Sequence, residues 1–303
     1  MNAPAPPTLT YVYAVAPPTP VLDHVLPALV GVAGSPVTVL VPPGGAGGPV
    51  AFVISDVPQA DWAEDALRDH FEDLRWLEDT ARAHHHVIEA LAAHTTVLPL
   101  RMATLYQDHT RALQALHAQT RDFATQLARL SAHTEYGVKI YVRPSTAPAT
   151  PDATTEAPPA SPGKAYLQAR RAHHDAREDH YRQAQLAADR LAAIAGRYTT
   201  QHVRHPAQSG PLTAPTAGEN VLNDAFLVPD DQADAFRAAL HRAAEDLPGI
   251  RLEVTGPWAP YSFAAPLPAA APPAPPPAPP SPPPAPTAPP QPPAPPPPAT
   301  PAS

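Results

Sequence analysis

Cysteine is absent from the 303-residue sequence, and this absence excludes disulfides, thiol catalysis and metal sites built from thiolates. The sequence also lacks any run of about 18 apolar residues, the length that a membrane-spanning helix requires. Its first ten residues contain no basic residue and no long apolar run, so no signal peptide is predicted. We therefore expect a cytoplasmic protein without membrane insertion.

Positive charge is scarce as well, since 20 Lys and Arg residues stand against 28 Asp and Glu residues. The resulting net charge of −8 argues against a nucleic acid as the partner, because a surface that binds nucleic acid needs an excess of basic residues.

Proline is abundant instead, and its distribution limits the folded part of the chain. Of 48 prolines, 22 lie in residues 265–303, a stretch without any charged residue. Such a composition does not build a core, so residues 264–303 are predicted to form a disordered proline-rich tail. Residues 144–163 are rich in Pro, Ala, Ser and Thr and are predicted to form a flexible insert.

A first α+β domain is predicted over residues 8–94, in the order β-α-β-β-α. Alternating and β-branched residues predict its strands at Leu9–Val15, Val37–Val41 and Val50–Ser55. Helical spacing predicts a short helix over Val21–Val30 and a long helical region over Asp61–His94. In the long region we expect one buried stripe, made of Leu67, Phe71, Leu74, Leu77, Ala81, His84, Ile88 and Leu91.

A second domain is predicted over residues 95–263, with an extra helix over 164–200 and a loop over His202–Gly218. Asp108 and Asp230 are expected to cap two further helices. Strands are predicted at Thr96–Leu100, Val138–Val142, Val221–Val228 and Ile250–Val254. With the extra helix set aside, this order is β-α-β-β-α-β, which is typical of a ferredoxin-like unit. The predicted fold class is therefore α+β, with two domains of ferredoxin-like character.

The sequence shows no arrangement of residues that is typical of catalysis. Fifteen histidines are present, but His84, His85 and His86 diverge by about 100° each on a helix, and no HExxH sequence occurs. The glycines at 44–48 precede a predicted strand, whereas a phosphate loop precedes a helix. We therefore predict no catalytic, metal-binding or cofactor-binding residues, no cofactor and no enzymatic activity.

Two segments stand out from this background. Val97–Thr104 places Arg101 beside a predicted strand, and Thr255–Phe263 contains two prolines and three aromatic residues. Each is either a rigid strand end that folds onto a sheet or a partner surface, because Trp, Tyr and Arg are favoured in interfaces. We expect Trp258 and Arg101 to contribute mainly to the stability of the fold.

Five segments, in order along the chain, resemble the GvpL/GvpF family of gas vesicle proteins. They are Tyr11–Val15, Leu74–Leu77 with Ala81–His84, Thr96–Arg101, Glu135–Lys139, and the closing group of Asn223–Pro229 with Thr255–Trp258 and Pro260–Phe263. The family residues that the resemblance marks as structural or partner-binding are Tyr11, Tyr13, Trp76, Leu77, His84, Pro99, Leu100, Arg101, Thr104, Gly137, Lys139, Gly256, Pro257, Trp258, Pro260, Tyr261 and Phe263.

The resemblance implies an accessory protein, or minor structural component, that supports the nucleation or growth of gas vesicles. It implies binding to the small shell protein GvpA and to other gas vesicle accessory proteins, and a location in the cytoplasm in association with gas vesicles. The alternative from the residues is a regulatory protein that binds a small molecule through its ferredoxin-like domains. No enzymatic activity belongs to the family that the sequence resembles.

Overall fold

The computed structural model describes residues 6–42, 49–144, 162–207 and 218–264, and it shows an α+β fold with two antiparallel sheets. The predicted insert and tail lie almost entirely outside these residues. The strands are β1 (Thr8–Ala16), β2 (Thr38–Leu40), β3 (Ala51–Pro58), β4 (Leu98–Pro99), β5 (Leu105–Tyr106), β6 (His133–Val142), β7 (Gln201–Arg204), β8 (Glu219–Pro229) and β9 (Ile250–Trp258). The helices are α1 (Pro20–Val25), α2 (Gln59–Trp62), α3 (Glu64–His70), α4 (Leu74–Ala92), α5 (His109–Ala118), α6 (Thr120–Leu130), α7 (Pro162–Tyr198) and α8 (Ala233–Ala244).

The first sheet has the strand order β2-β3-β1-β4, and β5 also pairs with β1. The strands predicted at Val37–Val41 and Val50–Ser55 are confirmed as β2 and β3, which pair antiparallel with Val39 opposite Val53. The strand predicted at the start of the second domain, however, belongs to this sheet, because Leu98 and Pro99 pair with Val15 and Ala14. That pairing joins distant parts of the chain, so local sequence did not reveal it. The domain limits of 8–94 and 95–263 stay a prediction.

The long helical region is broken at its N-terminal side. Asp73 caps α4 by accepting hydrogen bonds from the amides of Arg75 and Trp76, and a new helix axis begins there. The expected stripe is therefore wrong in part: His84, Ile88 and Leu91 are buried, whereas Phe71 and Leu74 are exposed. Because of this break, one helical period does not describe which residues are buried across 61–94.

The second sheet has the order β7-β8-β6-β9, and α7 and α8 cover one of its faces. Its chain order is β6-α7-β7-β8-α8-β9, so α7 is an integral helix of a ferredoxin-like unit and not an addition to it. Strand β7 lies where a loop was predicted. Asp230 does not cap α8; its carboxylate accepts a hydrogen bond from the Thr134 hydroxyl instead.

Helices α5 and α6 fill the space between the two sheets. Asp108 caps α5 as predicted, at 2.7 Å from the amide of Arg111. Leu116 and Phe123 pack with Phe52 of the first sheet and with Leu227 of the second. The described core therefore consists of three apolar layers, with α1–α4, α5–α6 and α7–α8 alternating with the two sheets.

Candidate functional site

A buried hydrogen-bond network lies under the first sheet and contains three of the predicted family residues. The hydroxyl of Tyr11 is 2.8 Å from Nδ1 of His84, and Nε2 of His84 is 3.2 Å from the carbonyl oxygen of Leu100. A carbonyl only accepts, so Nε2 carries the proton and Nδ1 accepts from Tyr11. The amide of Ala103 in turn donates to the Tyr11 oxygen. Each of the polar atoms named here thus has a hydrogen-bond partner.

Burial sets the protonation state of this network. Desolvation lowers the pKa of His84 to about 4 and raises the pKa of Tyr11. In both cases burial removes the water that would stabilise the charged form of the side chain. His84 is therefore neutral at neutral pH, as its hydrogen bonds require.

Tyr13, on the same face of β1 as Tyr11, extends the network toward β3. Its hydroxyl donates to Ser55 on β3 at 2.9 Å and accepts from the amide of Val32. The Ser55 hydroxyl donates onward to the carbonyl of Pro36. Tyr13 therefore fixes the segment before β2 to β3, and the ring of His84 stacks against it at 5.7 Å.

The segment from Pro99 to Thr104 closes over this network. Pro99 pairs with Ala14, and the amide of Leu100 donates to the carbonyl of Tyr13. Thr104 forms the turn by donating to the carbonyl of Arg101, and its own carbonyl accepts from Val12. The side chain of Arg101 is exposed. The turn thus depends on the backbone of Arg101.

Trp76 and Leu77 lie half-buried at the start of α4. The Trp76 ring stacks on His70 with centroids 4.6 Å apart, and it also contacts Trp62 at 5.3 Å. These rings hold α2, α3 and α4 together across the break at Asp73. Trp76 therefore has an internal packing role.

The remaining family residues gather around the segment that follows β9. Glu135 on β6 is buried, and its two carboxylate oxygens accept from the amide and the hydroxyl of Ser262 at 2.8 and 2.6 Å. His205 approaches the same hydroxyl at 2.9 Å. Desolvation raises the pKa of Glu135, and the hydrogen bonds from Ser262 offset part of that rise. This junction ties Pro260–Phe263 to the second sheet.

Two glycines allow the close approach of β6 and β9. A Cβ on Gly256, whose φ is 113°, would lie 2.8 Å from the carbonyl oxygen of Glu135. A Cβ on Gly137 would lie 2.6 Å from the hydroxyl of Thr255. Lys139 lies two residues further along β6, opposite Glu253 of β9. Both glycines are therefore needed where the register of this strand pair shifts.

The segment Pro257–Phe263, here called the closing segment, also contacts α4, and this contact connects the two groups of family residues. The Tyr261 hydroxyl is 3.0 Å from Nδ1 of His85, whose Nε2 lies 3.1 Å from Glu89. Trp258 is 39% exposed and lies 5.8 Å from the His85 ring. Pro260 and Phe263 are buried, and the carbonyl of Phe263 accepts from Arg129. Pro257 lines a cleft beside them.

Most family residues thus hold the protein's own elements together. Sequence reasoning missed three of their partners, Ser55, His85 and Ser262, because the contacts join residues that are far apart in the chain. Glu135 and Ser262 do stand within the family segments quoted above, so the segments carried a signal even where the individual residues were not selected.

The cleft beside Pro257 has a volume of about 480 Å³ and lies between the C-terminal end of α4 and the end of β9. Glu89, His94, His133 and Asp230 contribute polar groups, and Trp258 and Pro260 contribute apolar surface. Among the described residues, the one group with ligand atoms close enough for a metal ion is His174, Asp175 and Glu178, all exposed on α7.

A different surface lies at the outer edge of the first sheet. Strand β2 is outermost in that sheet as far as the described residues show. It lies within residues 25–55, where no Asp, Glu, Lys, Arg or His occurs. Val30 and Val41, close to this edge in the chain, are 62% and 44% exposed. Edge strands are commonly protected by charged side chains, and the described part of this edge has none.

The fold and these contacts define a two-sheet α+β protein. In it, the family residues hold the closing segment against α4, which packs on the first sheet, and against β6 of the second sheet. No helix in the described part of the chain has the length and apolar character to cross a membrane. Residues 9–265 match the family model "Gas vesicle synthesis protein GvpL/GvpF", and the chain belongs to this family. Its role is therefore linked to gas vesicles.

Individual relatives agree with this assignment. The chain is 37% identical to gas vesicle protein L of Streptomyces sp. strain CB03234 over 257 residues, which cover 84% of this chain and 92% of that protein. It is 27% identical to gas vesicle protein F of the same strain, over 84% of this chain and 98% of that protein. The crystal structure of GvpF from Anabaena sp. PCC7120 shares the fold, with a TM-score of 0.56, 18% identity, and coverage of 85% of this chain and 96% of that one.

Proposed function

We propose that this protein is an accessory component of gas vesicle assembly that binds the small shell protein GvpA and supports vesicle nucleation or growth. The observation that carries the proposal is the uncharged outer edge of the first sheet at β2. A role without enzymatic activity fits a chain whose signature residues serve internal packing. Other gas vesicle accessory proteins are further partners under this proposal, and the protein acts in the cytoplasm where vesicles grow.

Strand addition is the mechanism that suits this edge. A strand at the end of a sheet presents unpaired backbone N–H and C=O groups, and an incoming strand pairs with them. The exposed side chains of Val30 and Val41 add apolar area next to β2. A hydrophobic, strand-forming shell subunit would thus gain backbone hydrogen bonds and apolar burial while it waits to join the vesicle wall.

Charged substitutions at the edge test this mechanism. We expect Val30→Lys combined with Val41→Lys to reduce capture of the shell protein in co-purification by roughly tenfold or more, because a lysine at a strand edge opposes pairing. Both valines are exposed, so the fold tolerates the change. The control is Leu186→Lys on α7, which converts another exposed apolar residue, 43% exposed, far along the chain.

Circular dichroism should show the same folded signal for all three proteins. The shell-binding proposal is overturned if the unmodified protein captures no shell protein. The edge mechanism is overturned if the double variant captures as much as the unmodified protein does.

A further inference from the structure

Charge is distributed unevenly between two helical regions of the chain. Residues 162–198, which form α7, contain seven Lys and Arg and four Asp and Glu, a net charge of +3 within a protein of net charge −8. Residues 59–92, which include α2, α3 and α4, contain nine acidic and three basic residues, a net charge of −6. The protein therefore carries two helical surfaces of opposite sign.

The N-terminal half of α7 extends beyond the core. The apolar side chains of α7 that pack on the second sheet begin at Tyr181. Every described side chain from Lys164 to Asp175 is exposed. At 1.5 Å per residue, the segment from Pro162 to Arg177 extends about 24 Å. A helical end of this length, whose described side chains are exposed as far as Asp175, is marginal in water, and contact with a partner would stabilise it.

One face of this extension combines an apolar residue with basic neighbours. Leu167 is 57% exposed. Lys164, Arg170 and Arg171 lie three or four residues from it and so within about 60° of it around the helix axis. Among the described residues these three basic side chains have no ion-pair partner.

Exposed apolar residues with acidic neighbours lie between α3 and α4, at a corner formed by residues 69–74. Phe71 and Leu74 are 46% and 78% exposed there. Asp69, Glu72 and Asp73 surround them in the sequence and are exposed as well. An apolar groove of about 620 Å³ continues from Phe71 along Leu67 and Trp62. The corner thus presents apolar surface within an acidic surround.

We propose that the extended half of α7 of one molecule binds the acidic corner of a second copy of this chain, with Leu167 against Phe71 and Leu74. Arg170 and Arg171 then face Asp69 and Glu72. Complementary charges of this kind direct association and fix its register. Large exposed apolar groups surrounded by polar residues are typical of protein interfaces.

The two surfaces are different, so the contact is head-to-tail. A pair joined in this way still has one free helix end and one free corner, so association continues into an open chain or closes into a ring. This property goes beyond shell-protein binding, because it uses surfaces other than the edge of β2. It would let one accessory protein form an extended assembly.

Sedimentation or light scattering of the full chain at low and high salt tests the proposal. We expect assemblies that grow with protein concentration at low ionic strength and dissociate at 1 M salt, where the Debye length falls to about 3 Å. Arg170→Glu with Arg171→Glu should weaken association by roughly tenfold or more. Asp69→Lys with Glu72→Lys should do the same; Asp73 is left unchanged because it caps α4.

A mixture of the two variants gives the sharpest readout. Each variant keeps one of the two original surfaces, so each should be monomeric alone. In the mixture one contact pairs the original arginines with the original acidic residues, and the other pairs the introduced glutamates with the introduced lysines, so association should return. The control is Arg121→Glu with Arg242→Glu, which reverses the same number of exposed charges on α6 and α8 and should leave assembly unchanged.

Three results would overturn the head-to-tail contact: a monomer at low salt, assembly that persists in both charge-reversed variants, or a mixture of the two variants that does not associate. Failure here is distinguishable from failure of shell binding, because Val30→Lys with Val41→Lys should leave self-association intact.

Discussion

The two sheets share one strand order, yet different elements hold them together. The first runs β2-β3-β1-β4 and the second β7-β8-β6-β9, so in each the first and third strands are central. The first sheet rests on a buried network of Tyr11, Tyr13 and His84. The second sheet has a polar junction near the start of its central strand β6, where the Glu135 carboxylate accepts a hydrogen bond from Ser262. One topology thus tolerates two kinds of polar support.

The helices differ more than the strands. In the first half, a broken series of α2, α3 and α4 covers the sheet and leaves an acidic corner at the breaks. In the second half, the continuous helix α7 runs past the sheet and leaves a basic extension. The strands preserve the fold, whereas the helices supply the surfaces that distinguish the two halves.

The largest expected effect comes from breaking the junction of the second half. Gly256→Ala should lower the free energy of unfolding by about 3 to 4 kcal/mol, because its Cβ would meet the carbonyl of Glu135 at a φ of 113°. Gly34→Ala is the control: its φ is 70°, but no atom lies within 4 Å, so a loss of about 1 kcal/mol is expected.

Urea unfolding followed by tryptophan fluorescence measures both variants. Trp62 and Trp76 report on the first half and Trp258 on the closing segment. If both glycine variants lost the same free energy of unfolding, the close approach of β6 and β9 would not be the reason that position 256 needs glycine.

Lowering the pH should change the contributions of His84 and Glu135 to the free energy of unfolding in opposite directions. His84 has a folded-state pKa of about 4, below its usual 6.5, so the unfolded chain takes up the proton first. Its contribution to stability is complete above pH 6.5 and falls by about 3 kcal/mol as the pH drops to 4. Glu135 has a raised pKa, so the folded state takes up its proton more readily and acid relieves its burial.

The pH dependence of the free energy of unfolding checks this difference. His84→Gln should flatten the loss between pH 6.5 and 4, and Glu135→Gln should steepen it. An unchanged slope in His84→Gln would show that His84 does not cause the acid sensitivity.

Much of this fold follows from local signals in the sequence. Alternating and β-branched residues predict the strands β1, β2 and β3, and Asp108 predicts the start of α5, because each signal acts within a few residues. The short strand β7 was missed because its sequence, Gln-His-Val-Arg, is mostly polar. The sheet that Leu98–Pro99 joins was also missed, since strand pairing depends on residues more than 80 positions away.

The signature residues show the same division. The helical stripe predicts that His84 is buried, and it is. The stripe fails at Phe71 and Leu74, where Asp73 starts a new helix and changes which face points inward. Period alone does not reveal such a break, although an Asp followed by a helical pattern is a recognised start signal. The hydrogen bonds to Ser55 and Ser262 depend on tertiary contacts and have no local signal.

The smallest effects concern the two residues that the sequence marks as unusual at the surface, one in each half. Arg101→Ala should change the free energy of unfolding by less than about 0.5 kcal/mol, because its side chain is exposed and the turn uses only its backbone. Trp258→Ala should cost about 1 to 2 kcal/mol, since a 39% exposed ring keeps part of its packing against His85. The sequence alone predicts that both residues mainly stabilise the fold; the exposed side chain of Arg101 leads us to expect a smaller effect there, and for Trp258 the expectation stays a prediction. Chemical denaturation compares the two variants directly, and a larger loss for Arg101→Ala than for Trp258→Ala would reverse this assignment.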